Sequence, residues 1–241
     1  MKGIVLAGGS GTRMNALTKV MNKHLLPIYD KPMIYYPLQK LREVGIDDVM
    51  VIVDRKTAGM IISQLGSGKE LGMRLTYHVQ DAPEGIAHAI GLSKDFVGKE
   101  KFIVILGDNI FEDSLKEPWS DFTKSTKNAM IFIKPVDYPN QFGIAEIEGS
   151  RIISIEEKPE FPKSNLCVAG VYFYDSTIFN KIESIKVSRS NEYEITSINQ
   201  AYIGDDKIDF RYLKGFWFDV GTLESYHKCI AFIADKKAMA L

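Results

Sequence analysis

The chain has 241 residues, of which 45% are hydrophobic and 25% charged, with a formal net charge of −1. That length can bury a sizeable core as one large domain, and the near-balanced charge, without any block of one sign, argues against nucleic acid or a membrane surface as the main partner. No apolar run approaches the ~18 residues that span a bilayer, Gly8 arrives too early for a signal-peptide core, and Cys167 and Cys229 lack metal-ligand or disulfide spacing, as expected of neutral thiols in a reducing cytoplasm.

Residues 4–7, Ile-Val-Leu-Ala, read as a strand buried on both faces, as in a parallel sheet. Gly8, Gly9 and Gly11 follow, then Thr12 and Arg13. Glycines leave room for backbone N–H groups to face an anion, and the threonine hydroxyl and a permanently charged guanidinium add donors suited to a polyphosphate. Two common phosphate loops do not fit: no lysine follows Gly11 as a Walker A loop needs, and Met14 stands where the dinucleotide fingerprint needs its third glycine.

Helical spacing over residues 32–45, with proline near the start and glycine at the end, predicts a helix. Residues 48–54 read as a buried strand, 57–65 as a helix, 74–80 as an alternating strand, 85–96 as a helix and 101–107 as a further strand. Strands separated by helices of this length predict right-handed βαβ units and an α/β fold, with a Rossmann-like, mostly parallel central sheet flanked by helices. Beyond Glu112 the rhythm changes. A helix is expected over 115–124, strands over 129–134, 142–147, 151–155 and 167–174, and helices over 194–202 and 222–237, the last with Thr222 as N-cap. The proline-bearing middle region reads as a β-rich, ligand-shaped insertion, and the absence of repeats or a long linker favours one compact unit.

Asp108 follows the strand at 101–107, where open α/β sheets collect ligands beyond their strand ends. Asp219 repeats the pattern after the aromatic run Phe216-Trp-Phe. A Gly-Asp-Asn sequence is also a common turn. If the two carboxylates meet, they suit a hard divalent cation, since Mg²⁺ takes one or two protein carboxylates and completes its shell with phosphate and water. The sequence leaves that meeting open. Lys23, close behind the glycine loop, and Lys158, after Glu156 and Glu157, are candidate phosphate contacts or ordinary surface charges.

The segments Leu6-Ala-Gly-Gly-Ser-Gly-Thr-Arg13, Lys23-His-Leu-Leu-Pro27, Gly107-Asp-Asn109, Glu156-Glu-Lys-Pro159 and Trp217-Phe-Asp-Val-Gly-Thr222 occur in that order. In this the chain resembles the sugar-1-phosphate nucleotidylyltransferases, from its first residue to about Ala234. Tyr29-Asp-Lys-Pro-Met-Ile-Tyr-Tyr-Pro-Leu38, Leu106-Gly-Asp-Asn-Ile-Phe111 and Lys163-Ser-Asn165 bring it nearest the thymidylyltransferase branch, as a short form. The resemblance implies a cytoplasmic, homo-oligomeric enzyme that joins dTTP and glucose 1-phosphate with Mg²⁺, releasing pyrophosphate. It implies a nucleotide-binding part over about 1–112, a sugar-phosphate-binding part over about 113–222 and a terminal helix over about 222–237.

The resemblance also assigns residues. Leu6, Ala7, Gly8, Gly9, Gly11, Thr12 and Arg13 bind the nucleotide, the glycines, Thr12 and Arg13 through its phosphates, while Gln80, Pro83 and Gly85 meet the base. Arg13, Lys23, Asp108 and Lys158 form the catalytic set, Asp108 and Asp219 hold Mg²⁺, and Asp108 also belongs to the nucleotide contacts. Asn109, Gly143, Glu157, Lys158 and Val168 bind the sugar phosphate. Departures from the family pattern are Ala16 for a proline, His24 and His88 for glutamines, Phe142 for a tyrosine, and Ser190-Asn191 for an Arg-Gly, with Arg189 displaced by one position and a weaker candidate for the sugar phosphate. The two histidines are expected to be neutral hydrogen-bonding groups. The departures bear on base and sugar preference more than on reaction type. UTP or another sugar phosphate, a nucleotide-sugar sensor without turnover, and a dinucleotide-dependent oxidoreductase are the competing readings, the last disfavoured by Met14.

Overall fold

The computed structural model describes residues 1–9, 11–14, 17–19, 21–185 and 192–239, with Thr12 as backbone only. Ala16, Arg189, Ser190 and Asn191 lie outside the described residues. The first half runs β1 (Lys2–Ala7), a small hairpin of β2 (Pro27–Ile28) and β3 (Lys31–Pro32), α1 (Tyr35–Glu43), β4 (Asp48–Asp54), α2 (Ala58–Leu65), β5 (Arg74–Gln80), α3 (Ile86–Gly91), α4 (Lys94–Val97) and β6 (Phe102–Leu106). The second runs β7 (Asn109–Phe111), α5 (Lys116–Lys124), β8 (Ala129–Pro135), β9 (Gly143–Glu148), β10 (Arg151–Glu157), β11 (Leu166–Tyr174), α6 (Thr177–Ser184), α7 (Ile195–Gly204), β12 (Ile208–Tyr212), β13 (Trp217–Asp219) and α8 (Leu223–Ala238).

Among the described residues, nine strands form one mixed sheet with a parallel core. β1 lies between β4 and β6, parallel to both, and β5 extends the parallel set beyond β4. β1 is apolar throughout its buried length because it is covered on both faces. Ile4 and Leu6 point into one apolar layer with α3, α6 and α7, while Val5 and Ala7 point into the other with α1, α2 and α5. The larger of these, Ile4, Val5 and Leu6, each contribute about 1.5–3 kcal/mol on full burial. A third cluster, under α8, joins Met14, Ile28, Val220 and Cys229.

The strands of the middle region extend this same sheet. β11 runs antiparallel to β6 through Val171–Ile105 and Tyr174–Phe102, and β8 pairs with its other edge. β9 and β10 follow as an antiparallel pair, and β12 is parallel to β8. The α/β architecture with a parallel core and flanking helices therefore holds, with its antiparallel half built from the later strands.

Local chemistry accounts for the differences from the expected boundaries. The helix expected at 32–45 starts at Tyr35 because Pro32 is held in the β2–β3 hairpin. Pro37 fits the first turn of α1, whose N–H groups need no helical acceptor. The helix expected at 85–96 divides at Ser93, whose buried hydroxyl donates to the Ile90 carbonyl. α6 and β12 had no counterpart in the sequence reading. Thr222 caps α8 as expected, accepting from Ser225 N while the Ser225 hydroxyl accepts from Thr222 N. Among the described residues no helix is long and apolar enough to cross a membrane.

Candidate active site

The site grows from the carboxyl ends of β1 and β6. Gly107 N donates to Leu6 O at 2.8 Å, so the two strands leave the sheet side by side. A Cβ on Gly107 would stand 2.7 Å from His24 Cδ2 and 2.9 Å from Leu6 O, and only glycine fits there. Asp108 follows. Beyond it, β7 and β13 form a short antiparallel ribbon that sets Asp219 opposite Asn109, with Val220 N donating to Asp108 O at 2.9 Å. Two carboxylates far apart in the sequence, one near its middle and one near its end, thus become neighbours.

Lys23 opens a single 3₁₀ turn after the glycine loop, and its ammonium donates to Asp108 Oδ2 at 2.5 Å. Asn22 caps that turn. Its Oδ1 accepts from His24 N at 2.8 Å and lies 2.9 Å from His24 Nδ1, while its amide donates to Asp54 and Thr57. Because the Asn22 amide nitrogen is spent on acceptors, its oxygen faces His24 and requires the proton on Nδ1. Burial, reinforced by the adjacent Lys23 charge, pushes the His24 pKa down to about 3, so the ring is neutral as expected. Burial alone would push Asp108 up, but the Lys23 ammonium and hydrogen bonds from Lys23 and Asn109 hold it below the usual carboxylate range. Asp219 goes the other way, raised by burial and by the negative charge of Asp108.

These residues face a cavity of about 420 Å³, within the usual size range of small-molecule sites. Leu6, Gly8, Gly9, Arg13, Lys23, Asp108 and Asp219 line one part of it. Arg13 and Asp219 approach each other across Gly221, where a Cβ would lie 2.9 Å from both Arg13 Nη2 and Asp219 Oδ1. Gln80, Pro83 and Gly85 line a second part. Gly85 has φ +100°, and a Cβ there would meet Tyr193 O at 2.6 Å, so this turn also demands glycine.

Gly143, Glu157, Lys158 and Val168 line a third part. Thr196 at the start of α7 donates to Glu157 Oε2 at 2.6 Å and leaves the other oxygen 3.4 Å from Lys158 Nζ. Lys158 adopts φ +43°, a conformation uncommon for a residue with a side chain, and its N–H donates to Phe142 O at 2.9 Å. Phe142 lines the cavity and packs edge-on against Trp217, with ring centroids 5.6 Å apart.

Some expected residues stand back from the cavity. Asn109 is 1% exposed, and its amide is turned to the protein interior: Oδ1 accepts from Gly170 N and Trp217 Nε1, and Nδ2 donates to Asp108 Oδ1. Its geometry is that of a brace behind Asp108. The Ala7 side chain belongs to the core, and Gly11, at φ +63°, accepts at its carbonyl from the Thr18 hydroxyl. The sequence reading missed Thr196, Tyr172, Gly170 and Gly221. Gly221 stood within the quoted Trp217-Phe-Asp-Val-Gly-Thr222 segment, but the other three gain meaning only from what folds against them.

Among the described residues there is no cluster of three or more His, Cys, Asp or Glu side chains able to hold a metal ion. The donor set is two half-buried carboxylates, and Asp219 is short of compensating positive charge. That chemistry suits an ion such as Mg²⁺, which keeps water and phosphate oxygens in its shell, better than a fully protein-caged metal.

A glycine turn at a strand end, half-buried acids beyond neighbouring strand ends and a cavity between the parallel and antiparallel halves define a nucleotide-handling α/β protein. The chain belongs to the nucleotidyl transferase family, which it matches over residues 2–236. It is 41% identical over 237 residues to the glucose-1-phosphate thymidylyltransferase of Neisseria meningitidis serogroup A, covering 97% of this chain and 82% of that protein. A Bacillus anthracis protein assigned as a glucose-1-phosphate thymidylyltransferase and solved with a sucrose superposes with a TM-score of 0.92 at 44% identity, over 96% of this chain and 94% of that one. A UDP-glucose pyrophosphorylase solved with UDP-glucose superposes with a TM-score of 0.84 at 27% identity, over 98% of both chains.

Proposed function

We propose that the protein transfers the thymidylyl group of dTTP to glucose 1-phosphate, giving dTDP-glucose and pyrophosphate. The observation that carries this reading is one cavity lined by the end of the glycine loop with Arg13, by the Lys23–Asp108 pair beside Asp219, by Gln80 and Gly85, and by Glu157 with Lys158. The similarity to thymidylyltransferases over nearly the whole chain supports the same substrates.

In this reading a phosphate oxygen of glucose 1-phosphate attacks the α-phosphorus of dTTP in line, and the bond to the pyrophosphate oxygen breaks. The nucleophile is already an anion, so no general base is required. Catalysis rests on holding the reactants in line and on countering the charge that builds up at the reacting phosphorus and on the leaving group. Gly8 and Gly9 admit the triphosphate to backbone N–H groups, and Arg13 faces departing pyrophosphate. Lys23 lies near the reacting phosphates, held at Asp108. Lys158 meets the sugar's phosphate, and Glu157, oriented by Thr196, accepts from a sugar hydroxyl. Asp108 and Asp219 are the residues to hold Mg²⁺, which supplies charge neutralisation on phosphate oxygens.

A second reading keeps the reaction and replaces dTTP with UTP. It is favoured by the close superposition on a UDP-glucose pyrophosphorylase. Pyrophosphate release measured with dTTP, UTP, ATP, CTP and GTP against glucose 1-phosphate and Mg²⁺ separates the two. A strong dTTP preference is expected. Preference for UTP moves the specificity while keeping the chemistry, and absence of release from folded protein with every nucleotide overturns the proposal.

A further inference from the structure

Gln80 is 7% exposed at the end of β5, and its amide nitrogen lies 3.0 Å from His88 Nδ1 on α3. The opposite ring nitrogen, Nε2, lies 3.6 Å from Glu84 Oε2. The ring face stacks on Tyr193, with centroids 6.1 Å apart and planes 29° from parallel. A carboxylate beside Nε2 favours the tautomer with its proton there, which leaves Nδ1 a lone pair. That lone pair accepts an N–H of Gln80. The amide cannot turn over without setting its own oxygen lone pairs against Nδ1. Its oxygen is therefore held on the side of Gly8, where a Cβ would stand 3.0 Å from Oε1.

We propose that His88, oriented by Glu84 and Tyr193, is a positioning residue that fixes the amide of Gln80, so that its oxygen accepts from a pyrimidine carrying N3–H and rejects one whose N3 is a lone pair. Thymine and uracil satisfy that acceptor, and cytosine opposes it. The inference rests on the reading of Gln80 as the base contact. Sequence alone did not reveal it, because His88 stands where the resembling family carries a glutamine and the Gln80–His88 contact exists only in the folded turn.

Calorimetric binding of dTTP and dCTP, alongside steady-state pyrophosphate release, tests it in the intact chain. His88→Leu removes the acceptor at similar bulk, whereas His88→Gln can offer an amide oxygen to the Gln80 N–H. Loss of one such hydrogen bond corresponds to about tenfold in binding. The His88→Leu protein is expected to bind dTTP about tenfold more weakly and to lose about as much dTTP-over-dCTP preference, with KM for glucose 1-phosphate unchanged. The His88→Gln protein is expected to recover both. Unchanged preference in His88→Leu, or equal loss in both variants, overturns the positioning role. Gln80→Leu separates the two layers. If it leaves dTTP binding unchanged, or if the unmodified chain binds neither nucleotide, the base-contact reading falls and this inference with it. If it weakens dTTP binding while His88→Leu does not, only the positioning role falls.

Discussion

Lys23 and Asp108 form a 2.5 Å ion pair whose side chains are 8% and 14% exposed, in the wall of the cavity and beside a second carboxylate, Asp219. A pair this far from water is costly to separate. Removing one partner leaves the other charged and unmatched, which typically destabilises by about 3–5 kcal/mol. Lys23→Met leaves Asp108 and Asp219 as two neighbouring carboxylates and is expected to lower both turnover and stability, whereas Asp108→Asn keeps shape and leaves the Lys23 ammonium with Asp219 as a remaining counter-charge, so it is expected to lose activity and keep its fold. Thermal unfolding measured beside pyrophosphate release distinguishes the two variants. Equal stability in both would contradict the electrostatic account of the pair.

Arg13 is exposed and lies outside the core clusters, so removing its side chain leaves the core packing intact. In the proposed reaction, Arg13→Ala, like Asp108→Asn, removes charge stabilisation at the reacting phosphates. Contacts of that kind are worth about 2.7–4 kcal/mol, or roughly 10²–10³ in rate. Both purified variants are expected to show that loss in kcat with an unchanged circular-dichroism spectrum. Normal turnover in either would remove that residue from the catalytic set.

Gly221 separates the same arginine from Asp219. A methyl group there would sit 2.9 Å from Arg13 Nη2 and from Asp219 Oδ1, both side-chain ends that can move aside. Gly221→Ala is therefore expected to fold with a melting temperature close to that of the parent and to lose about tenfold or more in kcat/KM, since small displacements of reacting groups cost heavily. A variant with unaltered kinetics would mean that the approach of Arg13 to Asp219 is unimportant.

His24 links stability to pH. Its folded pKa is about 3 against an ordinary value of 6.5, so between those values the unfolded chain binds a proton that the folded chain does not. Stability contributed through this residue is full above the unfolded value and falls as pH drops toward the folded one. The expected loss between about pH 7.5 and about pH 5 is ~2 kcal/mol. Urea unfolding across that range, compared with His24→Gln, isolates the contribution: the variant's profile should be flatter by about that amount. Parallel profiles would show that the ring is not kept neutral by burial.

Asn109 braces Asp108, Gly170 and Trp217 from inside the protein. Asn109→Ala strands the buried Gly170 N–H, at about 1–3 kcal/mol for an unsatisfied buried group, and leaves the half-buried Trp217 indole N–H without its acceptor. A clear fall in the urea midpoint is expected, with no specific rise in KM for the sugar phosphate. A selective rise in that KM, without loss of stability, would restore Asn109 as a direct sugar-phosphate contact.

Much of the fold was legible because its signals are local. The apolar strand at residues 4–7 reads as buried because both faces of β1 are covered, and the 48–54 and 74–80 strands appear within the same bounds. Thr222 declares the start of α8 through its own side chain. α6 and β12 were missed, and the helix at 85–96 was read as continuous across Ser93. In these places burial against distant elements, or one hydroxyl bonded to the backbone, outweighs periodicity.

By itself, the amino-acid order determined the α/β class, the glycine loop at the end of β1, and the two acids that end β6 and β13, because each depends on residues within a few positions of one another. Only the tertiary structure decided that Asp108 and Asp219 are neighbours, that Lys23 neutralises the first of them, and that Asn109 faces inward. It also decided that His88 holds Gln80. Those facts depend on which strand ends and turns meet, and the packing of a mixed nine-stranded sheet, rather than any local spacing, brings them together.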